Sequence, residues 1–121
     1  LRLIGPAGLV APTRAAHELP QRGPIIRVQS PPLDGEVAPP FPVEIVFEPR
    51  PGGAPVAMES LKVTYLKLFE VDITERFRSH ITENRISVKN AKVPAGRHRL
   101  RIAVADQEGN MTVQIIQVAV R

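Results

Sequence analysis

The chain has 121 residues, enough for one domain with a sizeable core and too few for two comfortable ones. Its apolar share of 43% is ordinary, but aromatic residues make up only 4% with no Trp, so Val, Ile and Leu must fill the interior, and the β-branched pair favours strands. There is no cysteine, which excludes disulfides, thiolate catalysis and Cys-based zinc sites, and a net charge of +4 is mild for a nucleic-acid binder.

Residues 1–24 carry Pro6, Pro12, Pro20 and Pro24. Each proline removes a ladder donor and fixes φ, so this stretch reads as a proline-rich linker or extended arm. It begins without Met and has no continuous apolar stretch of signal-peptide type, so a trimmed or internal fragment is expected, with any leader upstream.

From Ile25 the pattern changes. "IIRVQ" reads as a short strand stopped by Ser30-Pro31-Pro32, and "LDGEV" holds an Asp34-Gly35 turn. "PVEIVFEP" alternates, with Val43, Ile45 and Phe47 on one face and Glu44, Val46 and Glu48 on the other, as a half-buried antiparallel strand does. "RPGGAP" is a loop. "SLKVTYLKLF", Ser60 to Phe69, predicts a strand with Leu61, Val63 and Tyr65 alternating against Lys62 and Thr64. "VDITERFRSHIT" fits either a helical turn capped by Thr74 or another short strand. "RISVKN" gives a strand with Ile86 and Val88 inward, "VPAG" a turn, and "RHRLRIAVAD" and "NMTVQIIQVAV" the last two strands. About seven strands at roughly 8–12-residue intervals predict an all-β antiparallel sandwich over residues 25–121. No run of about 18 apolar residues exists to span a membrane as a helix.

The order "SPPLDGEV…PVEIVF…SLKVTYL…VPAGRHRLRIAVADQEGNMTVQIIQVAV" resembles bacterial immunoglobulin-like and fibronectin type III-like modules. These open on a Ser-Pro turn, carry a late Pro-Ala-Gly before a strand ending in D-x-x-G-N, and close on an alternating strand. The resemblance covers residues 25–121. It implies an immunoglobulin-like β-sandwich and a noncatalytic module of a larger exported bacterial protein, periplasmic or extracellular, serving as a spacer or as a protein-interaction and assembly domain. A smaller similarity is to periplasmic copper-carrier sandwiches. Their ligand positions are not matched, since Leu1-Arg2 and Gly109-Asn110-Met111 stand where histidines would be needed. A periplasmic copper- or calcium-binding domain therefore stands as a further alternative without assigned ligands.

Several constellations test these expectations. Eight of the 16 cationic residues fall between Arg76 and Arg101, opposed only by Glu83. Strand alternation turns His98, Leu100, Ile102 and Val104 inward and leaves Arg97, Arg99 and Arg101 as a solvent stripe, with Lys89 and Lys92 nearby. These five residues form the candidate binding surface, suited to a protein partner or flanking domain, an anionic polysaccharide or another acidic partner. Without interleaved aromatics or a recognition helix, nucleic acid does not fit.

The alternating oxygens of Asp106, Glu108 and Asn110 faintly suggest a calcium loop. However, Met111 and Gln117 stand where such a loop needs Gly and Glu, so Asp106–Asn110 reads as a hairpin turn with Gly109 and Asn110 at φ > 0. His17, His80 and His98 fall in three elements, too scattered for a metal site, and His98 reads as a hydrogen-bonded core residue. Ser79-His80 lacks a nucleophile elbow, and Asp72 with Glu75 lacks the aromatics of a sugar cleft, so no catalytic residue and no cofactor is assigned. Met58 and Met111 read as gap fillers in apolar faces, and Tyr65 as a structural pivot whose hydroxyl needs a partner.

Overall fold

A computed structural model describes residues 21–121. Residues 1–20 of the proline-rich arm, His17 among them, lie outside the described residues. In chain order the strands are β1 (Ile25–Ser30), β2 (Glu36–Val37), β3 (Phe41–Glu48), β4 (Val56–Leu66), β5 (Glu70–Asp72), β6 (Ile81–Thr82), β7 (Arg85–Ala91), β8 (Gly96–Asp106) and β9 (Met111–Val120). A 3-10 helix spans Thr74–His80 between β5 and β6. They form two sheets, β2-β9-β8-β4-β5 and β1-β3-β7-β6, and every ladder is antiparallel except the short β2–β9 pair. The protein is an all-β sandwich. Among the described residues no helix is long and apolar enough to cross a membrane.

The core follows the period-two pattern. Ile26, Ile45, Phe47 and Ile86 of one sheet meet Leu61, Val63, Ile102, Val104, Ile116 and Val118 of the other, all buried. Phe47, Ile86, Ile102 and Val104 are essentially sealed from water. Each such side chain contributes about 1.5–3 kcal/mol on burial, so aliphatic residues supply most of the apolar stabilisation in a chain poor in aromatics.

Three details depart from the sequence expectation. First, β4 starts at Val56, ahead of the expected Ser60, because Ser60 repairs a break in its ladder with β8. The Ser60 hydroxyl donates to Ala57 O (2.5 Å) and accepts from Ala105 N–H (2.8 Å) where the register slips.

Second, the 71–82 segment is mainly a 3-10 helix, and Thr74 is its first residue, not its cap. The buried Thr74 Oγ1 accepts from Val63 N–H (2.9 Å) and donates to Asp72 Oδ1 (2.6 Å), so its hydroxyl is spent tying the helix to β4. The N-cap is Ile73, and Asp72 just before it takes Thr74 N–H at 2.9 Å. The Thr74 hydroxyl and backbone N–H hold the Asp72 carboxyl below its usual range.

Third, residues 21–24, read from sequence as the end of the arm, lie along the start of β9. Gln21 mimics a strand residue: its amide accepts from Val113 N–H (3.2 Å) and donates to Val113 O (3.3 Å). Thr112 donates its hydroxyl to Pro24 O (2.6 Å), and Gly23 and Pro24 are buried. This blunts an edge whose unpaired amides would otherwise invite another strand.

Candidate functional site

The β8–β9 hairpin builds the face on which the sequence placed its stripe. Gly109 takes φ 85°, but Asn110 does not enter the left-handed region, which corrects that half of the expected turn. The turn is organised by Asp106 instead. Its Oδ1 accepts from Glu108 N–H and Asn110 N–H, both at 2.9 Å, and its Oδ2 from the Asn110 side-chain amide at 3.1 Å. Burial alone would raise the Asp106 carboxyl, but the N–H donors of Asn110, Glu108 and Gly109 outweigh it and hold it below the usual carboxylate range. The oxygens that a cation would need are thus occupied by N–H groups, and among the described residues no three His, Asp or Glu side chains converge on a metal position.

Along β8 the alternation holds. His98, Leu100, Ile102 and Val104 turn inward, and Arg97, Arg99 and Arg101 line the outer face of the five-stranded sheet, alternate residues about 7 Å apart. The three differ in charge balance. Arg101 forms a two-pronged pair with Glu70 on β5, at 2.8 and 3.2 Å. Those hydrogen bonds, and then the guanidinium charge, hold the Glu70 carboxyl below its usual range. Arg97 and Arg99 have no carboxylate within salt-bridge distance among the described residues.

The two lysines go elsewhere. Lys89 follows inward Val88 on β7 and so faces out from the four-stranded sheet, on the opposite side of the sandwich. Lys92 lies beyond the end of β7, exposed at one end of the molecule. The structure therefore brings Arg97, Arg99 and Arg101 together and separates Lys89 and Lys92 from them.

What stands beside the arginines on the same face was missed in sequence. Across the β8–β9 ladder, Gln117 is level with Arg99, Ile115 with Arg101 and Val113 with Ala103. Met111, Val113 and Ile115 are 52%, 39% and 45% exposed and form a continuous apolar row. Met111 is therefore on the surface, which corrects its reading as a gap filler, whereas Met58 does pack against the core. The alternation of "MTVQIIQVAV" could have revealed the row. Thr112, Ile116, Val118 and Val120 are buried, so the remaining apolar residues had to point out.

Compared with protein-family models, curated proteins and solved structures, the chain matches none.

The described histidines sit on different elements, His80 on the 3-10 helix and His98 on β8. His80 is exposed on the 3-10 helix beside exposed Ser79. His98 is the inward residue expected, and it is the partner that Tyr65 required: Tyr65 Oη lies 2.7 Å from Nδ1, and Nε2 lies 2.8 Å from Pro94 O. A carbonyl can only accept, so Nε2 carries the proton, and in the neutral ring Nδ1 accepts from the Tyr65 hydroxyl. Both ring nitrogens are committed to structure.

Proposed function

We propose that this domain is a noncatalytic, immunoglobulin-like interaction module of a larger exported bacterial protein, periplasmic or extracellular, and that it docks a protein partner on the outer face of its five-stranded sheet. The observation that carries the reading is the row Met111–Val113–Ile115, which ends level with Arg101 and is continued along the same face by Arg99 and Arg97, whose charges have no carboxylate partner among the described residues. Exposed Met and aliphatic side chains flanked by arginine are the composition of a recognition surface, and a sheet presents them on a rigid plane. The charge asks for an acidic partner surface. The commitment of both His98 nitrogens and of the Asp106 carboxylate to structural hydrogen bonds supports a binding role over a catalytic one. The strand order, with the first sheet edge passing from β1 to the short parallel β2, supports the immunoglobulin-like reading.

A photo-crosslinking residue at Ile115 in the intact parent protein tests this. The expected result is one discrete polypeptide adduct, lost on Arg97→Glu/Arg99→Glu and not produced from Lys89 on the opposite face. Equal adducts from both faces, or none from Ile115, would refute it. Retention on a heparin-like resin that falls steeply with salt and vanishes in the same double variant would instead assign the face to an anionic polysaccharide.

A further inference from the structure

The two sheets part at the end of the sandwich where β4 and β7 finish and β8 begins. Between them lies a cavity of about 840 Å³. Protein interiors pack at crystal-like density, and a space this large forfeits the dispersion contacts of every side chain around it. It falls within the roughly 300–1,000 Å³ range of small-molecule sites. Its floor is sealed and aliphatic, formed by Val63, Ile86 and Ile102, and its walls include the half-buried Val43, Val88 and Leu100. Such walls offer water few partners and favour an apolar occupant.

The rim has the opposite character. Its charged residues are Lys67, Arg76 and Lys92, beside the uncharged polar Asn90, His80 and His98, and among the described residues no Asp or Glu lines the cavity. None of the three cations has a carboxylate within salt-bridge distance among the described residues. The Lys67 ammonium lies 5.6 Å from the centroid of the Tyr65 ring, itself part of the lining, which sets this charge at the mouth. Immediately after Lys67, Leu68 and Phe69 are 96% and 80% exposed at the β4–β5 turn, and Val71 both lines the cavity and reaches solvent. A mainly apolar interior, a rim whose charged residues are all cationic and an exposed apolar tip beside the entrance select one kind of molecule.

We infer that this cavity binds a single-chain anionic amphiphile, a long-chain carboxylate whose acyl chain lies between the sheets and whose head is met by Lys67, Arg76 and Lys92. The exposed Leu68-Phe69 tip gives an acyl chain an apolar path to the opening as it enters. The site lies at the end of the sandwich, apart from the outer face proposed for the protein partner, so either proposal can fail alone.

The test is titration of the full chain with cis-parinaric acid, followed by displacement with palmitate below its micelle concentration and with hexadecanol as the uncharged control. Saturable one-to-one binding is expected, with palmitate displacing the probe and hexadecanol doing so at least several-fold less well. Charge reversal by Lys67→Glu, Arg76→Glu or Lys92→Glu should each weaken palmitate by about fivefold, the scale of an exposed ion pair, and leave hexadecanol unchanged. Val88→Phe, which adds bulk to the wall, should abolish binding of both, with circular dichroism melting curves establishing that the variant is folded. Val43→Leu serves the same purpose should Val88→Phe not fold. No saturable binding would overturn the inference. So would equal affinity for palmitate and hexadecanol, or binding that survives wall filling and is lost only on Leu68→Ser/Phe69→Ser.

Discussion

Gly23→Ala is the substitution that most sharply separates local propensity from tertiary packing in this chain. Gly23 is not in the left-handed region of φ, so on backbone grounds alone alanine should stabilise by about 0.4–1 kcal/mol through a less flexible unfolded chain. The structure reverses that sign. A Cβ at position 23 would lie 2.6 Å from the Met111 carbonyl carbon and 2.7 Å from both Asn110 O and Thr112 N. All three are backbone atoms of the β9 start, so no rotamer change relieves the clash, and residues 21–24 must lift away. Their departure breaks the buried Thr112–Pro24 bond, the part-buried Arg50 Nε–Gly23 O bond (2.9 Å) and the packing of fully buried Pro24. Two such hydrogen bonds at about 1 kcal/mol each, plus roughly 1 kcal/mol for the proline, give a loss of about 3 kcal/mol. For a domain of this size that is a fall in Tm of roughly 10–20 °C. Thermal and urea unfolding followed by far-ultraviolet circular dichroism would read it, because the chain has no Trp. Gln21→Ala is the control. Its two bonds to Val113 are exposed and exchangeable with water, so its cost should stay within about 0.5 kcal/mol. If Gly23→Ala melts within ~2 °C of the parent, residues 21–24 do not belong to the cooperative unit and the reasoning fails.

Two further outcomes follow from hydrogen bonds that no sequence pattern displays. Thr74→Val keeps the shape of the side chain but leaves the buried Val63 N–H unpaired, at a cost of about 1–3 kcal/mol in urea unfolding, and Thr74→Ser should restore most of it. A valine variant as stable as the parent would show that the Thr74–Val63 bond contributes nothing. The Asp106 carboxyl lies below its usual range in the folded state, so its contribution is full above the ordinary aspartate value of about 3.9 and is lost as pH falls through the lower folded value. Asp106→Asn should therefore lower Tm at neutral pH and shrink its deficit toward pH 2. Glu70 and Asp72 are lowered in the same sense and keep some acid sensitivity in the variant. A Tm deficit independent of pH would contradict this account.

The strands that could be read from sequence are those with one buried face. Val43, Ile45 and Phe47 declare β3, and Leu100, Ile102 and Val104 declare β8, because period two is imposed by the pleat itself. What escaped was too short to have a period. Glu36–Val37, Glu70–Asp72 and Ile81–Thr82 become strands by lying beside β9, β4 and β7. The turn between β6 and β7 carries no glycine, and Glu83 takes φ 55° there. The stripe of Arg97, Arg99 and Arg101 was legible for the same reason as β8, but its charge balance was not. Glu70 reaches Arg101 from 31 positions away in sequence, and Lys89 is turned from the stripe by one residue of alternation on a different sheet.

The sequence alone thus determined an all-β chain, its long strands and which of their side chains face inward, since these follow from residue-by-residue geometry and the removal of apolar surface from water. Only the tertiary structure decided which arginines keep an unbalanced charge and that the sheets diverge around a mainly apolar cavity whose charged rim residues are cationic. Those are properties of the distance between strands remote in the chain, and side-chain alternation within a strand carries no information about that distance.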